Sequence, residues 1–402
     1  MTTTASTDAI ADVLSTTWMI SSDSHIIEPP DLWDGRVPEL GDRAPQVVSE
    51  ADGDWWYVDG KKTMSFVGIQ TGDRFVKDAD ELRTSGTFGD VRPAAYDPAA
   101  YLAENETDGI WGSVIYPSQG LVIFSVPVTD VVTVSMRAYN DWLAEFCGEN
   151  TDRLKGIAMV NVDDPAEAAA ELTRCRDLGL CGALVTVAPP PWLPFSHSDY
   201  DRFWATAQDL DMPLSLHTAT DRGDPRIGDA AFRLDVKHVP PSVFINKDYQ
   251  VRQALGDLIF TGVFERYPRL RVGSVEHELA WIPFFLDQMD YTYTDRPPRG
   301  EWHRFEPGVL PSDFFRSNSF ASFQEDAVGI RVRDVIGVDT LMWGSDYPHT
   351  ESTFPRSQEI LCDILNGVSA DDALKIVSTN AAALYHFDLP PAREPERTGP
   401  VR

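Results

Sequence analysis

LKGIAMVNVDDPAEAAAELTRCRDLGLCGALVTV, residues 154–187, holds one complete strand–helix–strand unit. Its middle, DPAEAAAELTRCRDLG (164–179), reads as a helix with a clear start and stop. Asp164 can cap it, Pro165 suits its first turn because that position needs no N–H donor, and Gly179 can end it. The flanking runs, Leu154–Val162 and Cys181–Val187, are rich in apolar and β-branched residues. They lack the alternation of a strand with one wet face, so they read as strands of a buried parallel sheet.

The same alternation extends in both directions. Further strands are expected at Trp18–Ser22, Trp111–Pro117, Met212–His217, Leu270–Val275, Phe320–Phe323 and Thr340–Gly344, with helical patterns between them. Eight strands alternating with helices predict an α/β fold, a (β/α)8 TIM barrel, rather than an open sheet. No GxGxxG or GxxxxGK[ST] follows any strand, which removes the main support for nucleotide binding. Two stretches exceed the minimal repeat. Residues 29–95 follow the first strand and include DWWYVDG; residues 219–247 follow the fifth and are rich in Asp, Arg, Pro and Gly. Both insertions should emerge at the C-terminal face, as substrate-binding loops or lids, or else as cover for apolar surface or a homodimer contact. The domain plan is a polar lead-in at 1–17, one barrel domain at 18–388 and a polar, proline-rich tail at 389–402.

Composition narrows the function. Of 402 residues, 43% are hydrophobic, enough for a large core, and the formal charge is −29. That charge argues against nucleic-acid or anionic-membrane surfaces, which need clustered Lys and Arg. A small anionic substrate stays open, since one arginine can bind a carboxylate inside an acidic protein. Apolar runs such as 120–128 are too short for a membrane span of about 20 residues. The N-terminus shows neither the basic nor the apolar region of a secretory signal. The four cysteines, Cys147, Cys175, Cys181 and Cys362, show no CxxC spacing, which suits a reduced, cytoplasmic protein. The run ENETD (104–108) reads as a solvated helix end.

The chemistry lies at the strand ends. Asp23 and His25 follow the first strand in SSDSHIIEPP, two residues apart and so on one face. His217 ends the fifth in LSLHTAT, His277 the sixth in VGSVEHELAW, and Asp346 the eighth in LMWGSDYPHT. In a barrel these ends converge, however distant in sequence. Imidazole and carboxylate are ordinary ligands of Zn2+, with Mn2+ the alternative, so Asp23, His25, His217 and Asp346 could hold one divalent ion with an open position. His277 is either a fifth ligand or, preferably, a general acid/base. Asp346 could also relay a proton. His349 lies three residues on and could face substrate. Arg222, Arg226 and Lys247 could hold a substrate carboxylate, and Trp33, Trp55, Trp56 and Trp281 could line an aromatic pocket. Glu28 is read as a structural partner for a histidine or a loop amide. The remaining histidines, His197, His238, His303 and His386, fall in helices or loops and are read as structural.

These motifs, with KIVSTNAAALYHF near the end, resemble the amidohydrolase-related family from about Met19 to Phe387. That branch of the amidohydrolase superfamily includes 2-amino-3-carboxymuconate-6-semialdehyde decarboxylase and the resorcylate-type decarboxylases. The resemblance implies that His25, His217 and Asp346 bind metal and that His277 activates water or shuttles a proton. Most of the superfamily has HxH at the first strand, whereas this chain has Asp23-Ser24-His25. Some decarboxylases carry glutamate there, one methylene longer than this aspartate. Hydrolysis of a small carboxylated or cyclic substrate by metal-activated water is the leading expectation. Non-oxidative decarboxylation of an aromatic or muconate-type acid at the same site is the alternative.

Overall fold

The computed structural model describes residues 7–66, 71–83, 85–222, 240–298 and 302–391. Its strands are β1 (Met19–His25), β2 (Gln46–Glu50), β3 (Gly53–Val58), β4 (Lys61–Ser65), β5 (Ile110–Tyr116), β6 (Leu154–Met159), β7 (Gly182–Val185), β8 (Leu214–His217), β9 (Val272–Val275), β10 (Ala321–Phe323) and β11 (Leu341–Trp343). β1 and β5 to β11 form one eight-stranded sheet in chain order, every pairing parallel. The sheet curls until its ends meet. Ser22 Oγ donates to Trp343 O (2.9 Å), Asp346 N to Asp23 O (2.9 Å) and His25 N to Tyr347 O (2.6 Å). The expected (β/α)8 barrel is therefore present, with its last seam joined by these bonds in place of a ladder.

Polar pairs cross the barrel interior. Ser22 Oγ meets Ser322 Oγ at 2.8 Å, and Tyr116 OH meets Ser215 Oγ at 2.8 Å. Each pair joins strands that are not sheet neighbours, so the contacts must run through the middle. This is why a run as polar as SSDSH can be a buried strand: its hydroxyls find partners inside. β1 also shifts register against β5 between Ser21 and Ser24, a bulge of the kind that re-aims side chains beside active sites.

Around the barrel, the helix expected at 164–179 spans Pro165–Asp177, with the Asp164 side chain accepting from the N–H groups of Ala166 and Glu167. Such a cap is worth about 1 kcal/mol. Two details differ from expectation. The lead-in forms a helix at Thr7–Thr16, whose Ile10 and Leu14 are buried in the core. The ENETD run is not simply solvated: Asn105 and Asp108 are buried, with Asn105 Nδ2 donating to Ser113 Oγ (2.8 Å) and Asp108 accepting from Ser357 N (3.0 Å). Of the expected tail, 389–391 is described, and Pro391 O accepts from Trp18 Nε1 at 2.8 Å.

The insertion after β1 contains an antiparallel sheet, β2-β3-β4. Asp59 and Gly60, both at positive φ, turn β3 into β4, as a two-residue hairpin of this twist requires. The insertion then reaches the mouth of the barrel beyond β11. There Thr71 Oγ1 donates to Pro348 O, and Arg74 Nε donates to Ser352 O at 3.0 Å. Most of the insertion after β8 lies outside the described residues, including Arg226 and His238.

Candidate metal centre

Five side chains meet at the C-terminal mouth. His25 Nε2 lies 3.4 Å from Asp23 Oδ1 and 3.3 Å from Asp346 Oδ1; His217 Nε2 lies 3.6 Å from the same Asp23 oxygen and 3.4 Å from Glu276 Oε2. Asp23, His25, His217 and Asp346 are all buried. Each imidazole is oriented through its other nitrogen. His25 Nδ1 faces Pro117 O at 2.7 Å and His217 Nδ1 faces Thr218 O at 2.9 Å. A carbonyl can only accept, so both Nδ1 atoms donate, and both Nε2 lone pairs are turned into the cluster.

This arrangement fits a cation. Asp23 Oδ1, His25 Nε2 and His217 Nε2 are buried without a hydrogen-bond partner, although buried polar atoms rarely go unpaired. Ligand atoms of Asp23, His25 and His217, and separately of His25, Asp346 and His349, lie within 4.8 Å of one another. Acceptors pointed at a common centre repel unless positive charge stands between them. The protein alone supplies that charge as protons. Burial would push His25 and His217 down, but Asp23, joined at His25 by Asp346, overrides it and raises both. Burial would likewise raise Asp23, yet the two imidazoles hold it well below the usual carboxylate range. Asp346, also resisted by burial, is lowered to about 2 by His349 and His25.

His349 stacks on His25 with ring centroids 4.0 Å apart; its Nδ1 meets Asp346 Oδ1 at 2.8 Å and its Nε2 meets Ser118 Oγ at 2.8 Å. His277 is buried nearby but stands outside the ring of ligand atoms, with Nδ1 3.1 Å from Ser274 Oγ. Burial, reinforced by His217 and Lys247, holds its pKa well below the usual value, so it is neutral. Glu28 accepts from the backbone N–H groups of Ser118 (3.2 Å), Gln119 (2.8 Å) and Gly120 (2.9 Å), fixing the loop that orients His25 and His349.

The other candidates have partners of their own. The Arg222 guanidinium is held by Asp163 (Nη2 to Oδ2, 2.6 Å) and by the carbonyls of Phe124 and Val126, so it straps two loops together instead of facing the cluster. Trp281 Nε1 donates to Glu278 O at 3.0 Å, and its ring packs on Phe285. Lys247 Nζ lies 3.8 Å from Glu278. Trp33 and Trp56 pack edge to face in the core at 5.0 Å. His197, His303 and His386 pair with Asp199, Glu265 and Asp211.

The sequence reading missed Glu276. In VEHELAW the histidine draws attention, but Glu276 adopts φ +65°. That left-handed residue breaks the alternation at the end of β9, and its carboxylate comes within 3.4 Å of His217 Nε2. The repeated acid in EHE was the available signal.

A (β/α)8 barrel with such a cluster at its C-terminal mouth defines a class of metal-competent barrel enzymes. The chain belongs to the amidohydrolase family, whose model matches residues 118–387. Gamma-resorcylate decarboxylase of Rhodococcus jostii is 29% identical over 275 residues, covering 64% of this chain and 78% of that protein. An amidohydrolase structure from Mycobacterium avium subsp. paratuberculosis aligns with TM-score 0.74 at 22% identity, covering 92% and 98% of the two chains. A dihydroxybenzoic acid decarboxylase from Polaromonas sp., solved with manganese and 2-nitroresorcinol, aligns with TM-score 0.60 at 19% identity, covering 93% and 98%. At these identities the two structures speak for the fold. Among the described residues, no helix is long and apolar enough to cross a membrane.

Proposed function

We propose that this chain is a metal-dependent carboxy-lyase that removes CO2 from a hydroxylated aromatic acid. The observation that carries this choice is the likeness to gamma-resorcylate decarboxylase over most of both chains. It favours the lyase alternative over hydrolysis, which the sequence alone had put first. The carboxylate at Asp23, where most of the superfamily has histidine, agrees with it.

Asp23, His25, His217 and Asp346 would hold one divalent ion. Mn2+ replaces Zn2+ as the leading candidate, because carboxylate oxygen is abundant in the cluster and the Polaromonas decarboxylase carries manganese. Such an ion would supply positive charge against the substrate's carboxylate. The reaction exchanges a proton for CO2 at one ring carbon. A C–H bond forms with a ring electron pair, then the C–C bond breaks and its pair restores the aromatic ring. Asp346, an ionised carboxylate, would relay that proton from His349, whose Nδ1 lies 2.8 Å from its Oδ1, with Ser118 beyond. Neutral His277 can hold a proton at Nε2, the nitrogen that Ser274 does not engage.

The test is incubation with 2,6-dihydroxybenzoate and a panel of related hydroxybenzoates in deuterated water. Release of CO2 with one deuterium at the vacated ring carbon supports the reading. Inertness on the panel together with turnover of an ester, amide or lactone would return the chain to the hydrolases.

A further inference from the structure

We infer that Glu276 is a third carboxylate donor to the cation, standing on the side of the cluster open to solvent. The inference rests on the metal-dependent reading of the site and extends its ligand set. Three observations carry it. The first is direction. Glu276 Oε2 lies 3.4 Å from His217 Nε2, and Asp23 Oδ1 lies 3.6 Å from that nitrogen, so both carboxylates approach the same atom. That nitrogen has no hydrogen-bond partner, so the approach is not an imidazole–carboxylate hydrogen bond.

The second is construction. The left-handed backbone at Glu276 (φ +65°) is uncommon for a residue with a side chain and carries a cost. The Thr218 hydroxyl donates to Oε2 and fixes the carboxylate. Thr218 also supplies the carbonyl that orients His217, so one residue positions both donors. The third is exposure. The Glu276 side chain is 26% exposed, whereas those of Asp23, His25, His217 and Asp346 are between 0% and 5%. Glu276 is therefore the carboxylate of the cluster in contact with solvent. Oxygen donors suit Mn2+ better than they suit softer-ligand ions, so a third carboxylate biases the site the same way.

The test is calorimetric titration of Mn2+ into metal-free protein, with Mn2+ electron paramagnetic resonance of the loaded forms. Glu276→Gln is isosteric and keeps an acceptor for Thr218. It should weaken Mn2+ binding by at least about 10- to 100-fold and alter the spectrum. Thr218→Val keeps the carboxylate but removes the hydroxyl that fixes it, and should weaken Mn2+ binding by clearly less than Glu276→Gln does. Unchanged affinity and spectrum in Glu276→Gln would overturn the inference. So would a loss in Thr218→Val as large as in Glu276→Gln, because Glu276 would then act only through its neighbour. If the wild-type protein takes up no Mn2+, the metal reading of the whole site fails, a result distinct from a failure of Glu276 alone.

Discussion

A methyl group at Gly344 would stand 2.5 Å from Asp23 Cβ and 2.8 Å from Asp23 N. The strand bearing the first candidate ligand thus passes the last barrel strand at a distance only glycine allows. Gly344→Ala should force the two strands apart. Overpacking of this kind costs about 1–3 kcal/mol, and here the displaced residue is Asp23. The expected result is a lower melting temperature together with weaker metal binding. A variant that melts and binds metal like wild type would refute the coupling.

Metal content tests the donor set one residue at a time. Purified protein should carry about one divalent ion per chain. His217→Ala and Asp346→Asn should each lower that content or abolish turnover, and full activity in thoroughly chelated protein would exclude the site. Asp23→Ala should weaken binding, while Asp23→Glu should retain part of it. If Asp23→Ala holds its metal and rate, Asp23 is structural.

His277 should separate rate from retention. His277 belongs to neither group of clustered ligand atoms, so His277→Ala should keep its metal and lose activity by about 10²–10⁴-fold, as expected for a general acid–base group. Inductively coupled plasma mass spectrometry beside steady-state kinetics decides this. Loss of the metal along with the activity would make His277 a ligand.

Asp108 gives a pH dependence away from the site. Burial outweighs the two hydrogen bonds from Ser357 and raises its pKa to about 6. The folded state then holds the proton more tightly than the unfolded chain, whose Asp titrates near 3.9. Stability from this group is fully present below about pH 4 and is lost as pH rises through 6, up to about 3 kcal/mol in all. Asp108→Asn should flatten that decline. Urea midpoints of metal-free wild type and variant, compared between pH 4.5 and 7, measure it; parallel curves would show that Asp108 is not raised.

Much of this arrangement was legible in the chain. Buried parallel strands repeat a pattern that survives without neighbours, and the strand ends could be read for ligands because a barrel makes them converge. The reading failed where long-range partners decide the outcome. β1 was expected over Trp18–Ser22; it runs to His25, with Ser21 and Ser22 bonded to Ser345 and Ser322. Arg222 looked available for substrate because its partner Asp163 lies 59 positions away. Glu276 was passed over because the histidine beside it drew the attention, although its carboxylate is the one that comes within 3.4 Å of His217 Nε2.

The seam between β1 and β11 has a consequence for how the enzyme comes into being. Ser21 and Ser345, which meet across it, are 324 positions apart. On a ribosome β1 is made first, and its flank stays uncovered until almost the whole chain has been synthesised. Asp346 arrives with the closing strand and bonds through its N–H to Asp23 O. Closure of the barrel and assembly of the candidate donors are therefore one late event, and a nascent chain that stops short of β11 is unsealed.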